Sequence, residues 1–411
     1  MSQSISLEQS STPPASTSSL LFIGNGRDFL RLAFKGAVLQ LISAGFYRFW
    51  FTTNIRRSLW SDTQIDGDSL EYTGRGKELL IGFLFALAIL APFFIIYFVV
   101  TLEAERFKAF ASVPLYLALY LFGQFATFRA RRYRLTRTVW RGVRFWMTGS
   151  GWSYAFRSFG WMLLVVATLG LAYPWREAAL ERYKIGNTYF GDLQGEFKAG
   201  GWSLFKASLL VWAAGVLLFG LPLAYLTARL VILGLETPND PAPLAIYVDT
   251  HHALLIAAGI APFAIVLAWP IYQAIEWRWW LNGIRFGRIS FISRFPMSKI
   301  LMLYLKYLGW MVPFVAAMFG LVVAIFRTNG PIARGSFPSV GSLVSAALVY
   351  LAALLVLGAI HRYYLQFRLW SAIVQTLVVN NLDAAASVTA RGEAANALGE
   401  GLADGLDVAG F

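Results

Sequence analysis

The sequence predicts an all-α, polytopic membrane protein: about six spanning helices in three hairpins, two re-entrant or in-plane segments, and an internal duplication. Three observations carry this expectation. The chain of 411 residues is 57% hydrophobic and only 14% charged, against about 25% charged in soluble domains, and its mean hydropathy is +0.58. Six apolar stretches are each long enough to cross about 30 Å of hydrocarbon as a helix, which takes about 20 residues. One region also repeats at a fixed offset: Gly45 falls on Gly170 (170 − 45 = 125), and at the same offset Trp50 falls on Trp175, Arg57 on Arg182, Thr63 on Thr188 and Gly76 on Gly201. A fixed-period repeat signals a duplicated structural unit.

The six stretches are bounded by flanking charges. They are Leu79–Leu102, Ala109–Phe128, Ala207–Ala228, Thr250–Ile275, Tyr307–Phe326 and Gly335–His361. A helix satisfies its own backbone hydrogen bonds, which lipid cannot do. Two shorter apolar stretches, Gly36–Tyr47 and Ser158–Trp175, precede the repeated motifs and are too short or too interrupted for a full crossing. Gly45 and Gly170 free the backbone to turn, Pro174 ends a helix, and Trp50 and Trp175 suit an interfacial position. These five residues are the candidate structural corners.

Charge orients the chain. Arg129 to Arg157 and Trp277 to Lys299 are Arg-rich, whereas Gly234 to Asp249 has no Lys or Arg. Cytoplasmic loops carry the Lys/Arg excess, so both basic segments belong inside, together with both termini. That requires the two short stretches to dip rather than span. The expected organisation is a disordered Ser/Thr/Pro-rich tail over residues 1–20, a first membrane repeat over 21–155, a second over 156–299, a third hairpin over 300–370, and a mobile Ala/Gly-rich acidic tail over 371–411. The N-terminus has neither the basic start nor the apolar core of a signal peptide.

Several motifs resemble one family. Thr168-Leu169-Gly170-Leu171-Ala172-Tyr173-Pro174-Trp175, Gly74-Arg75-Gly76-Lys77-Glu78-Leu79, Trp140-Arg141-Gly142-Val143-Arg144-Phe145 and Phe22-Ile23-Gly24-Asn25-Gly26 are similar to segments of the YjgN-like bacterial inner-membrane proteins. The resemblance covers about Leu21 to Trp370. It implies a multi-pass protein of the bacterial inner membrane and no particular activity. The first corner lacks the proline of the pattern, and the second copy has Ala199-Gly200-Gly201-Trp202 in place of the Gly-Lys-Glu-Leu cluster.

The chemistry visible in the sequence is sparse. There is no cysteine, which excludes disulfides and thiolate metal sites. Asp249, His251 and His252 are close in sequence, but adjacent side chains on a helix diverge by about 100°, so no metal and no cofactor is expected. A net charge of +13 fits anionic lipid headgroups in a membrane protein better than nucleic acid. Arg141, Arg144, Arg278 and Arg285 are the candidate lipid or anion contacts. Gln124 and Gln273 are the candidate polar residues of a cavity, because the apolar stretches hold almost no ionisable group. No nucleophile–base set points to an enzyme. Two functions follow: a channel or transporter-like protein binding a small solute or amphiphile between the repeats, or a non-catalytic scaffold that binds anionic lipid or partner proteins through a basic cytoplasmic face. Protein partners are not legible.

Overall fold

The computed structural model describes residues 17–103, 108–236, 252–328 and 339–392. It is not all-α. β1 (Thr17–Phe22) leads into α1 (Gly26–Ile42), which turns sharply into α2 (Arg48–Ser61). Then come β2 (Thr63–Ile65), β3 (Asp68–Ser69), β4 (Glu71–Tyr72), α3 (Gly76–Glu103), α4 (Lys108–Thr136), β5 (Thr138–Trp140) and β6 (Val143–Met147). A second sharp turn joins α5 (Gly151–Ala167) to α6 (Tyr173–Gly186), followed by β7 (Thr188–Phe190) and β8 (Leu193–Phe197). α7 (Gly201–Gly215), a π-turn (Val216–Gly220), α8 (Leu221–Glu236) and α9 (His252–Gly283) lead to β9 (Ile284–Phe286) and β10 (Ile289–Ser293). Last are α10 (Met297–Thr328), α11 (Val340–His361), a π-segment (Arg362–Arg368), α12 (Leu369–Val374) and β11 (Leu377–Asn380).

The eleven strands form one antiparallel sheet in the order β3-β2-β1-β11-β10-β9-β8-β7-β6-β5-β4. Its two ends, β3 and β4, are separated in the chain by Leu70 alone. The Leu70 amide donates to the Thr63 carbonyl (3.0 Å) and the Thr73 amide to the Arg137 carbonyl (2.8 Å), so the sheet runs round into a nearly closed barrel. Four hairpins turn on two residues each: Asp66-Gly67, Arg141-Gly142, Gly191-Asp192 and Gly287-Arg288. At Asp66-Gly67 and Arg141-Gly142 both central residues have positive φ, the geometry that matches strand twist in a two-residue turn. Each hairpin is entered and left by a helix, and neighbouring strands are antiparallel. The turns therefore share one rim of the barrel and the helices leave from the other.

Apolar side chains from around the ring fill the barrel. Leu20, Trp140, Phe190, Phe197, Phe286, Ile289 and Val379 belong to one buried cluster, with Phe22, Ile65, Leu70, Val143, Phe145, Leu193 and Phe291 packed against it. At the helix side, Trp60 and Trp370 stack at 4.9 Å. Their indole N–H groups donate to Thr138 Oγ1 (3.0 Å) and Thr63 Oγ1 (2.9 Å). Thr63, Thr138, Thr188 and Thr376 each donate a hydroxyl hydrogen bond to the carbonyl four residues back. The same residue type thus closes a helix end at four entries to the sheet.

Among the described residues three helices are long and apolar enough to cross a membrane: Gly76–Phe98, Met297–Arg327 and Val340–Val374. This replaces the expectation of six. Ala207–Ala228 is divided among α7, the π-turn and α8, and Ala109–Phe128 is the first part of an α4 that ends in a run of arginines. Nor are Gly36–Tyr47 and Ser158–Trp175 self-contained re-entrant segments. Each holds the end of one helix, a corner, and the approach to a second helix that delivers the chain to a β-hairpin. Residues 377–380, placed by sequence in a mobile tail, are β11, and Thr17 to Ser19 of the N-terminal strand pair with them. Residues 1–16 and 393–411 of the two tails lie outside the described residues.

The turns at Gly45 and Gly170 share one backbone geometry. The Gly45 amide donates to the Gln40 carbonyl and the Gly170 amide to the Val165 carbonyl, both at 2.7 Å. Ala44-Gly45 and Leu169-Gly170 all have positive φ. The hydroxyls of Ser43 and Thr168 accept from the Tyr47 and Ala172 amides. A left-handed glycine after a helix captures its orphan carbonyls, so the two corners are the same device used twice.

Candidate functional site

Two polar features lie where the helices meet the barrel. The first is an open cleft of ≈ 520 Å³ between the start of α7, the end of α9, β9 and the start of α10. Lys198, Arg278 and Arg285 line it beside Ser203, Trp279 and Asn282. Gly200 and Gly201 open α7 without bulk at this point. The Trp279 indole donates to the Gly200 carbonyl and to Ser203 Oγ, each at 3.1 Å, which fixes the cleft wall. Arg278 and Arg285 make no ion pair among the described residues. Glu196 stands opposite Arg285 in the β8–β9 register, but its carboxylate pairs with Lys198 (3.2 Å). The cleft keeps a net positive charge, with an apolar floor from Ala199, Ala207 and Ile275.

The second feature is a polar seam between α6 and α9. Tyr173, Glu177 and Glu181 recur every four residues on α6, and Tyr272, Glu276 and Trp280 do the same on α9. Residues spaced by four share a helix face. The Tyr173 hydroxyl donates to Glu276 Oε1 (3.3 Å) and the Trp280 indole to Glu181 Oε2 (2.8 Å). Glu181 also pairs with Lys184 and with Arg131 (3.6 Å). Burial opposes its ionisation, but Lys184 and Arg131 outweigh this and hold its carboxyl below the usual range. Glu177 pairs with its neighbour Arg176, though burial leaves its carboxyl raised. Glu276 makes no ion pair among the described residues. Burial, with the charge of Glu177 added, pushes it up to about 7.

These features sit in a chain whose sheet and helices are matched almost throughout by one family model, covering residues 17–405, for bacterial proteins of unknown function. The chain belongs to the DUF898 family. That is the family whose YjgN-like members its motifs resemble. No curated protein matches the chain, and no solved structure does.

Within this DUF898 protein the residues singled out by sequence divide. Arg278 and Arg285 come together in the cleft. Arg141 does not join them: it turns at a hairpin tip, donates to Asp68 (2.5 Å) and Asp66 (2.9 Å), and stacks on Trp140. Arg144 donates to the Thr136 carbonyl and to Thr73 Oγ1 (3.5 Å). Gln124 and Gln273 each bridge a different pair of helices. Gln124 accepts from Ser158 Oγ (3.1 Å), tying α4 to α5, and Gln273 accepts from the Tyr304 hydroxyl (2.6 Å), tying α9 to α10. Gly45 and Gly170 lie in the two turns, whereas Trp50 lies in α2 and Pro174 and Trp175 lie in the first turn of α6. Among the described residues no three His, Asp or Glu side chains gather to hold a metal; Asp249 and His251 lie outside them.

Sequence reasoning missed the seam. Its carboxylates lie at the edges of apolar stretches, where they read as loop charges. The four-residue spacing of Tyr173, Glu177 and Glu181, matched by Tyr272, Glu276 and Trp280, was the available signal.

Proposed function

We propose that this protein is anchored in the bacterial inner membrane by its apolar helices and binds the anionic headgroup of a membrane amphiphile in the cleft of Lys198, Arg278 and Arg285. The single observation that carries this reading is a pair of guanidiniums without ion-pair partners among the described residues, set over an apolar floor at the junction of helix and barrel. Guanidinium groups match phosphate oxygens with paired hydrogen bonds, and an apolar floor suits the first carbons of an acyl chain. Basic residues crowd the barrel-proximal ends of the helices: Arg129 to Arg134 on α4, Lys184 on α6, Arg278 on α9 and Lys299 on α10. By the positive-inside rule the barrel then faces the cytoplasm.

The test is binding of a short-chain phosphatidic acid, with phosphatidylcholine of the same chain length as comparison, to the full chain in nanodiscs. The reading expects preference for the anionic lipid, and about tenfold weaker binding in Arg278→Ala, in keeping with the loss of one charge-assisted contact. Equal binding of both lipids would overturn it. A second reading, movement of a solute between the repeats, draws support from the buried carboxylates of the α6–α9 seam. Because the barrel interior is filled with side chains, such a path would run between helices.

A further inference from the structure

The seam has a feature that a purely structural ion network does not need. Among the described residues Glu181 is held by Trp280, Lys184 and Arg131, whereas Glu276 accepts from one donor, Tyr173. Glu177 lies one turn along α6 from that tyrosine, so two carboxylates share the space between the helices. Next to them the Tyr272 hydroxyl is buried without a hydrogen-bond partner among the described residues, in a residue only 7% exposed, its ring 6.2 Å from that of Tyr173. A buried hydroxyl without a partner is costly. It sits one turn from Glu276 on the same face of α9, where it can accept from a protonated carboxyl or donate to a charged one.

We propose that the α6–α9 seam is a proton-binding site, in which Glu276, beside Glu177 and held by Tyr173, takes up one proton while Glu181 stays ionised. Two buried carboxylates sharing a site do not both ionise freely, so one of them is displaced toward the protonated form. The surroundings of Glu276 agree. α6 presents Tyr173, Arg176, Glu177, Glu181 and Lys184, and α4 presents Arg131. Of these cations Arg176 is engaged by Glu177, and Lys184 and Arg131 by Glu181. α7 presents Trp212, whose ring meets Tyr272 edge-on at 6.5 Å, while its Lys206 lies over Trp202 instead. α10 presents Tyr304, which is bonded to Gln273. Arg229 of α8 and Arg294, just after β10, are exposed. The bound proton would be held at the Glu276 carboxyl and lost to solvent as the pH rises. In a chain with apolar spanning helices, buried ionisable groups of this kind mark proton-linked function.

The experiment is infrared difference spectroscopy of the full chain in zwitterionic nanodiscs, titrated from about pH 5 to about pH 9, a window well above the ordinary carboxylate range. The carbonyl stretch of a protonated carboxyl should appear as the pH falls through neutrality. It should vanish in Glu276→Gln and persist in Glu196→Gln, which alters an exposed barrel carboxylate. Glu177→Gln should move its midpoint down by roughly one pH unit, since a like charge is removed. Tyr173→Phe should move it up, since a donor to the charged form is removed, and this variant keeps the proposal testable should Glu276→Gln fail to fold. A wild-type chain with no such band, a band that survives Glu276→Gln, or a midpoint indifferent to both Glu177→Gln and Tyr173→Phe would overturn the proposal.

Discussion

Gly201 lies so close to Trp175 that a Cβ built on it would sit 2.6 Å from the tryptophan Cα, and Gly76 meets the Cα of Trp50 in the same way at 2.7 Å. At both places a helix leaving the barrel starts directly against the helix that follows a corner. The contact is with backbone, which cannot swing aside as a flexible side chain can. Gly201→Ala is therefore expected to cost about 1–3 kcal/mol, the range for overpacking a tight site. Gly200→Ala, where a Cβ meets nothing within 4 Å, should cost much less. Thermal unfolding of the two variants in the same detergent checks the difference.

Glu181 is the hub of the buried ion cluster, so removing its charge strands Lys184 and Arg131. Glu181→Gln should destabilise by about 3–5 kcal/mol, as when one member of a buried pair is lost. Trp280→Phe removes one hydrogen bond to a charged group and should cost about 1.5–3 kcal/mol. The sign with pH follows from the lowered carboxyl of Glu181. Its stabilisation is present above the carboxylate range of the unfolded chain and is lost as the pH falls through the lower folded value.

Glu276 has the opposite sign. Its folded-state value, about 7, lies above an unfolded one of about 4.3, so the folded chain holds the proton more tightly. The resulting stabilisation is full below about pH 4.3 and fades as the pH rises through about 7, amounting to about 4 kcal/mol at most. Glu276→Gln should equal the wild type in acid and exceed its stability above neutrality. Denaturation midpoints at several pH values decide it.

Arg278 and Arg141 offer a contrast on the basic surface. Arg278→Ala should weaken binding of short-chain phosphatidic acid about tenfold. Arg141→Ala should leave that binding unchanged, because its guanidinium is already engaged by Asp66 and Asp68. Equal losses in the two variants would mean that the positive surface as a whole, rather than the cleft, attracts the lipid. Titration of each variant by tryptophan fluorescence gives the comparison.

The glycines of the barrel turns show why the sheet stayed hidden in the sequence. Asp66-Gly67, Arg141-Gly142, Gly191-Asp192 and Gly287-Arg288 are recognisable hairpin signals. The strands beside them are only two to five residues long, too short for an alternating pattern to emerge, and they lie within basic segments that read as cytoplasmic loops. Arg278 and Arg285 stood out in the sequence as candidate anion contacts from their place in such a segment, but their shared cleft exists only in the fold. Glu177 and Glu276 were not, since their partnership exists only across two helices.

The sequence by itself determined the apolar character of the chain, the duplicated corners at Gly45 and Gly170, and the basic residues near the helix ends. Those follow from composition and local backbone preference, which act over a few residues. Only the tertiary structure decided that Thr17 to Ser19 pair with residues 378–380, that eleven short strands curl into one barrel, and that Tyr173 reaches Glu276 across 103 positions of chain. Such strands and carboxylates have no stable arrangement alone. Each becomes favourable only when a distant segment supplies the missing hydrogen bonds and covers its apolar side.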